Sequence, residues 1–173
     1  MKLKYIKLAG NKMEFQEFDI KDLKDDVGLP LAFPHVPKLK NLEEIKEYIF
    51  NMDMSMIFFK MTDEECAGDL GLLWDEEDAA FAINQYRQYL YLIRKYDTNI
   101  SPTLAIDAVW HNHILDTRKY VQDCQAIFGH YLHHFPYFGS RDEEDRKHLE
   151  MAFENTKMLF KKEFNVDIAK DVE

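Results

Sequence analysis

The stretch EEDAAFAINQYRQYLYLIRKY, residues 76–96, decides the fold class. Its residues Ala79, Ala82, Ile83, Tyr86, Tyr89, Leu90 and Ile93 recur at three- and four-residue spacings, which on a 3.6-residue turn align as one broad apolar face. A face that wide needs other helices to cover it. Tyr86, Tyr89, Tyr91 and Tyr96, with Arg87 and Arg94, offer a binding groove as one reading; the preferred one is that the tyrosines bury their rings and leave their hydroxyls in water.

Downstream, Asp97-Thr98-Asn99 breaks the pattern, and Ser101-Pro102 reads as an N-cap followed by proline at the first helical position. The spacing from there predicts one helix over residues 102–128, stopped by Gly129. Residues 135–139, FPYFG, form a turn or loop, and Ser140 with Glu143 predicts a capped helix over 141–164. Leu149, Ala152, Phe153, Thr156, Leu159 and Phe160 mark its buried stripe. Upstream, Asn41 with Glu44 opens a helix to about Asn51, and Thr62 with Glu65 repeats the device. Residues 28–40 hold three of the five prolines, which predicts an extended loop over one end of the core. Residues 2–20 alternate loosely around Ala9-Gly10-Asn11, the pattern of a short hairpin. The expectation is an all-α, single-domain helical bundle spanning 1–173. Residues 1–40 are its hairpin and extended lead-in, 41–75 its short helices, and 76–165 its core helices.

Composition narrows the function classes. A chain of 173 residues that is 46% hydrophobic and 14% aromatic can bury a core and does not read as disordered. Its net charge of -10, without a basic cluster, opposes phosphate backbones and anionic lipid, so no nucleic acid or membrane partner is expected. No run approaches the roughly 18–20 apolar residues of a membrane span, and the start MKLKYIKLAGNKMEF lacks a leader's apolar core. Cys66 and Cys124 have neither CxxC nor disulfide-framework spacing, which fits free thiols in a cytoplasmic protein.

Five of the seven histidines fall within residues 111–134. On a helix from Pro102, the face of Ile106, Val109, Trp110, Ile114 and Val121 also carries His113, Thr117, Tyr120 and Cys124, a concentration of polar groups on a core-facing side. Asp107 and His111 are four apart, able to hydrogen-bond or to share a metal. His111 and His113 point about 200° apart at 100° per residue, so an undistorted helix cannot offer both to one ion. His130 and His134 have helical ligand spacing if a helix resumes after Gly129, and His133 lies between them. Asp107, Asp116 and Asp123 are the neighbouring carboxylates.

The composite of Asp107, Trp110, His111, His113, Ile114, Leu115, Asp116, Thr117, Tyr120, Asp123, Cys124, Phe128, Gly129, His133, His134 and Pro136 resembles the central motif of the glycine-rich domain-containing-protein-like family. The upstream YRQYLYLIRKY and downstream FENTKMLFKKEF are similar too, extending the resemblance over roughly residues 76–165. It implies no particular reaction, ligand or catalytic residue. Plant relatives carry glycine-rich tails and are linked with stress and developmental signalling, whereas this chain has six glycines and no such tail.

Other chemistry is weakly supported. Cys124 lies on the apolar face, Cys66 sits among acids that raise a thiol's pKa, and the carboxylates of WDEEDAA and SRDEED suit helix starts. There is no P-loop, dinucleotide fingerprint or nucleophile elbow. Two function classes follow. One is a metal-binding protein or small metal-dependent enzyme holding zinc, iron or copper through His111, His113, His133, His134 and Asp107, with Trp110, Asp116, Tyr120, Cys124 and His130 lining the site. The other is a non-catalytic scaffold for a protein partner, in which the same residues form a hydrogen-bond network.

Overall fold

The computed structural model describes residues 2–9, 12–19, 39, 41–64, 73–96 and 98–168. Strands β1 (Lys2–Ala9) and β2 (Lys12–Asp19) pair antiparallel, from Lys2 opposite Asp19 to Ala9 opposite Lys12. The helices are α1 (Leu42–Asn51), α2 (Ser55–Thr62), α3 (Glu76–Tyr96), α4 (Leu104–Leu115), α5 (Thr117–Ile127) and α6 (Glu143–Phe164). The body is all-α, as its periodicity predicts, and the hairpin stands where the alternation put it. The expected turn at Gly10-Asn11, the proline-rich stretch apart from Leu39, and Glu65 with Cys66 lie outside the described residues.

Helix α3 is the centre, packed against α1, α2, α4 and α6. Neighbours on so many sides bury every residue from Gln85 to Leu92, not one face alone. Three of the four tyrosine hydroxyls bond protein groups instead of being left to water: Tyr86 bonds His113, Tyr89 donates to the Ile100 carbonyl at 3.0 Å, and the half-buried Tyr96 donates to Glu163. Arg87 is buried too, its Nη2 donating to the Met52 carbonyl at 2.6 Å, and burial pushes its guanidinium down to about 10.

Helix ends follow side-chain caps, though not always the expected ones. Asn41 caps α1 by accepting from the Glu43 amide at 2.8 Å. Thr62 ends α2 instead of opening a helix, its hydroxyl donating to the Phe58 carbonyl. The cap of α4 is Thr103, not Ser101, because Ser101 is held elsewhere: its N–H donates to Thr156 Oγ1 and its carbonyl accepts from the same hydroxyl. For α6 the cap is Asp142, not Ser140.

The largest departure is the predicted helix 102–128, which is two helices broken at Asp116 (φ -80°, ψ 71°). The Asp116 N–H still donates to Asn112, closing α4, while its carboxylate accepts from the Lys119 amide and starts α5. Ten residues along a continuous helix cover about 15 Å. Here Trp110 Nε1 donates to Tyr120 Oη at 2.8 Å, and His113 Nε2 meets Asp123 Oδ2 at 3.0 Å. The break therefore folds α5 back against α4.

Gly129 (φ 76°) stops α5 as expected, with its N–H shared between the Cys124 and Gln125 carbonyls. No helix resumes before α6, so His130 and His134 do not share a helical face. The connecting loop is fastened to α6 instead. Asp145 accepts from the Gly139 and Arg141 amides and from the Arg141 guanidinium at 2.5 Å. Gly139 has φ 86°, and a Cβ there would sit 2.4 Å from Leu149 Cδ2, so conformation and space both demand glycine. No helix among the described residues is long and apolar enough to cross a membrane.

Candidate metal site and the buried histidine beside it

Helix α4 presents its two histidines to different surroundings. Asp107 and His111 lie one turn apart on its outer flank, with His111 Nδ1 3.6 Å from Asp107 Oδ2. The loop after α5 returns His134 to the same place, where its Nε2 is 2.7 Å from Asp107 Oδ1 and its ring centroid 4.6 Å from that of His111. One ligand atom from each of Asp107, His111 and His134 lies within 4.8 Å of the others. The His111 side chain is 48% exposed, Asp107 27% and His134 14%, so the cluster opens to solvent.

His134 is placed by contacts made around it. Tyr120 Oη donates to the Leu132 carbonyl at 2.5 Å while accepting from Trp110 Nε1, which ties the loop to α4 two residues before His134. The Trp110 ring meets the His134 ring edge-on, 4.7 Å between centroids. Trp110 and Tyr120, expected as site-lining residues, thus position the loop.

His113 does not join this cluster. Its ring is buried, Nδ1 2.9 Å from Tyr86 Oη and Nε2 3.0 Å from Asp123 Oδ2. Burial first, then neighbouring Tyr120, Cys124 and Asp123, holds the Tyr86 hydroxyl far above the ordinary tyrosine range. The Asp123 carboxylate can only accept, so Nε2–H donates to it, and in that tautomer Nδ1 accepts from the Tyr86 hydroxyl. The same carboxylate accepts from Tyr48 of α1 at 2.5 Å and pairs with Lys119 at 2.9 Å. Burial opposes ionisation of Asp123, but the His113 bond, the Lys119 charge and the Tyr48 bond together hold its carboxyl below the usual range. Both imidazole nitrogens are spent, which removes His113 from the expected ligand set.

The remaining candidates separate. His133 is exposed at the lip of a cleft beside the cluster, and His130 is exposed and packed on Phe128. Asp116 is committed to the junction of α4 and α5. Cys124 is a buried free thiol, pushed up by burial, and unsuited to nucleophilic attack. Sequence reasoning missed Tyr86 as a partner of the buried histidine, and Tyr48 and Lys119 as partners of its carboxylate Asp123. Only Asp123 carried a signal, as a carboxylate near the histidines.

Fold and site define an all-α protein with a solvent-facing Asp-His-His cluster beside a buried histidine network. The chain belongs to the UCP032817-like family, whose model matches residues 40–156, and that description names no activity. This match replaces the resemblance to the glycine-rich domain-containing-protein-like family. Much of the composite that carried the resemblance is core, with Trp110, His113, Tyr120, Cys124 and Phe128 all buried, and such residue types recur wherever helices pack. Searches of curated proteins and of solved structures find no match.

Proposed function

We propose that the protein binds one divalent transition metal through Asp107, His111 and His134, and that the ion faces the adjoining cleft. The observation that carries this reading is the gathering of three ligand atoms within 4.8 Å from two separate segments of chain. Metal–nitrogen and metal–oxygen bonds of roughly 2.0–2.2 Å need ligand atoms roughly 3.3 Å apart in a tetrahedral site. His134 lies 2.7 Å from one Asp107 oxygen and His111 3.6 Å from the other, and one atom from each residue falls within 4.8 Å of the rest, so drawing the three to that spacing takes only modest side-chain movement. Two imidazoles and a carboxylate suit zinc, iron or copper better than magnesium or calcium. Three protein ligands leave a position for water or substrate, where a metal supplies Lewis acidity or an activated hydroxide. The net charge of -10 supports a small-molecule ligand over nucleic acid, and the free buried thiol of Cys124 supports a reducing, cytoplasmic setting.

A scaffold reading is favoured by one observation: the 2.7 Å Asp107–His134 contact is already a complete hydrogen bond. Elemental analysis of untagged protein separates the two. Metal binding predicts a stoichiometric ion whose affinity falls by on the order of 10- to 100-fold or more in His111→Ala and His134→Ala, with the fold retained. A metal-free wild type that each change merely destabilises ends the metal reading.

A further inference from the structure

The cleft beside the cluster has a volume of about 540 Å³, inside the range of about 300–1,000 Å³ typical of small-molecule sites. Asp107, Trp110 and His134 contribute to its lining together with Leu104, Phe135 and Phe138. Leu104 and Phe135 are 62% and 52% exposed, large apolar groups left facing solvent. Several polar groups along the cleft are already committed. Tyr89 donates to Ile100, Thr103 caps α4, and the Ser101 backbone is bonded to Thr156.

Among the described residues, no lysine or arginine lines the cleft. Arg141 stacks on the Phe135 ring but is paired with Asp145. A phosphate ester, whose several negative oxygens call for several fixed cations, would find in these described walls no cationic side chain to supplement the single proposed metal. Resting on the metal reading above, we infer that the cleft takes a small aromatic or aliphatic molecule with a single oxygen-donor head group. The head reaches the metal at Asp107, His111 and His134, and the body packs on Trp110, Leu104 and Phe135. Phosphorylated compounds are not its ligands.

The test titrates zinc-loaded protein calorimetrically with benzohydroxamate, acetohydroxamate and phenyl phosphate. Burial of the ring should make benzohydroxamate at least about tenfold tighter than acetohydroxamate, and its head group should make it tighter than phenyl phosphate, which brings the same ring with a multiply charged head. Phe135→Ala and Leu104→Ala should each shrink the preference between the two hydroxamates while zinc stoichiometry is unchanged. Equal affinity for the hydroxamates, tighter phenyl phosphate, or a preference surviving both substitutions would overturn the inference. If zinc does not bind, the metal reading fails alone, and the cleft is tested in metal-free protein by NMR with benzyl alcohol. Shifts confined to the Trp110 indole and the amides of Leu104, Phe135 and Phe138 sustain the ligand class; scattered or absent shifts overturn it.

Discussion

His111 and His113 stand two residues apart on α4 and do opposite things. His113 is enclosed by Tyr86, Asp123 and Tyr120, with both nitrogens bonded and its ring edge-on to the two tyrosines. His111 is exposed, and among the described residues its ion-pair and ring contacts are with Asp107 and His134. A half-turn of helix thus separates a histidine built into the core from one that faces solvent. Histidine count alone is therefore poor evidence of a site; free lone pairs facing a common point are better evidence.

The comparison breaks most sharply at Asp123. Asp123→Ala leaves His113, Tyr48 and Lys119 without their acceptor, and removing one partner of a buried pair costs about 3–5 kcal/mol. Urea unfolding should show that loss, while metal content per folded molecule stays at the wild-type value. A loss below about 1 kcal/mol would mean that the buried network does not hold the fold. Tyr86→Phe is the milder version. It strands His113 Nδ1 alone and should cost about 1–3 kcal/mol in the same measurement.

Gly139→Ala probes the other region through its support. The positive φ and the clash with Leu149 should cost roughly 1–3 kcal/mol and loosen the loop that delivers His134. Metal affinity should fall with stability here, unlike at Asp123. Unchanged affinity would show that the fastening to α6 does not position His134.

Acid titration sharpens the contrast. The folded carboxyl of Asp123 lies below its unfolded value near about 3.9, so as pH falls the unfolded chain takes up the proton first. Its stabilisation is present above that unfolded value and drains away as pH drops through the folded one. Asp123→Asn should therefore have a flatter stability curve across that acid window, and a curve parallel to wild type would contradict the linkage. The smallest effect belongs to His111→Ala and His130→Ala, both at exposed positions, which should move stability by less than about 0.5 kcal/mol. A larger change at His111 would assign it a structural role.

What the sequence determined by itself is what one or two turns of chain decide. The α3 span follows from its apolar spacing, the start of α1 from Asn41, and the end of α5 from Gly129, where a left-handed residue closes the last turn. Ser101 and Ser140 misled because capping residues stood close by, and the choice between them depended on Thr156 and Asp145 of α6. The break at Asp116 had only an Asp-Thr dipeptide as its local signal, set within a continuous apolar pattern.

The sites lay beyond that reach. Tyr48 and Asp123 are 75 residues apart, while Tyr86 and His113, like Asp107 and His134, are 27 apart. No local propensity links such pairs, because they meet only after the α4–α5 break and the packing around α3 have fixed where each helix lies. Helix periodicity encodes which side of a helix is apolar; which polar group finds which partner there is decided by the neighbours that bury it.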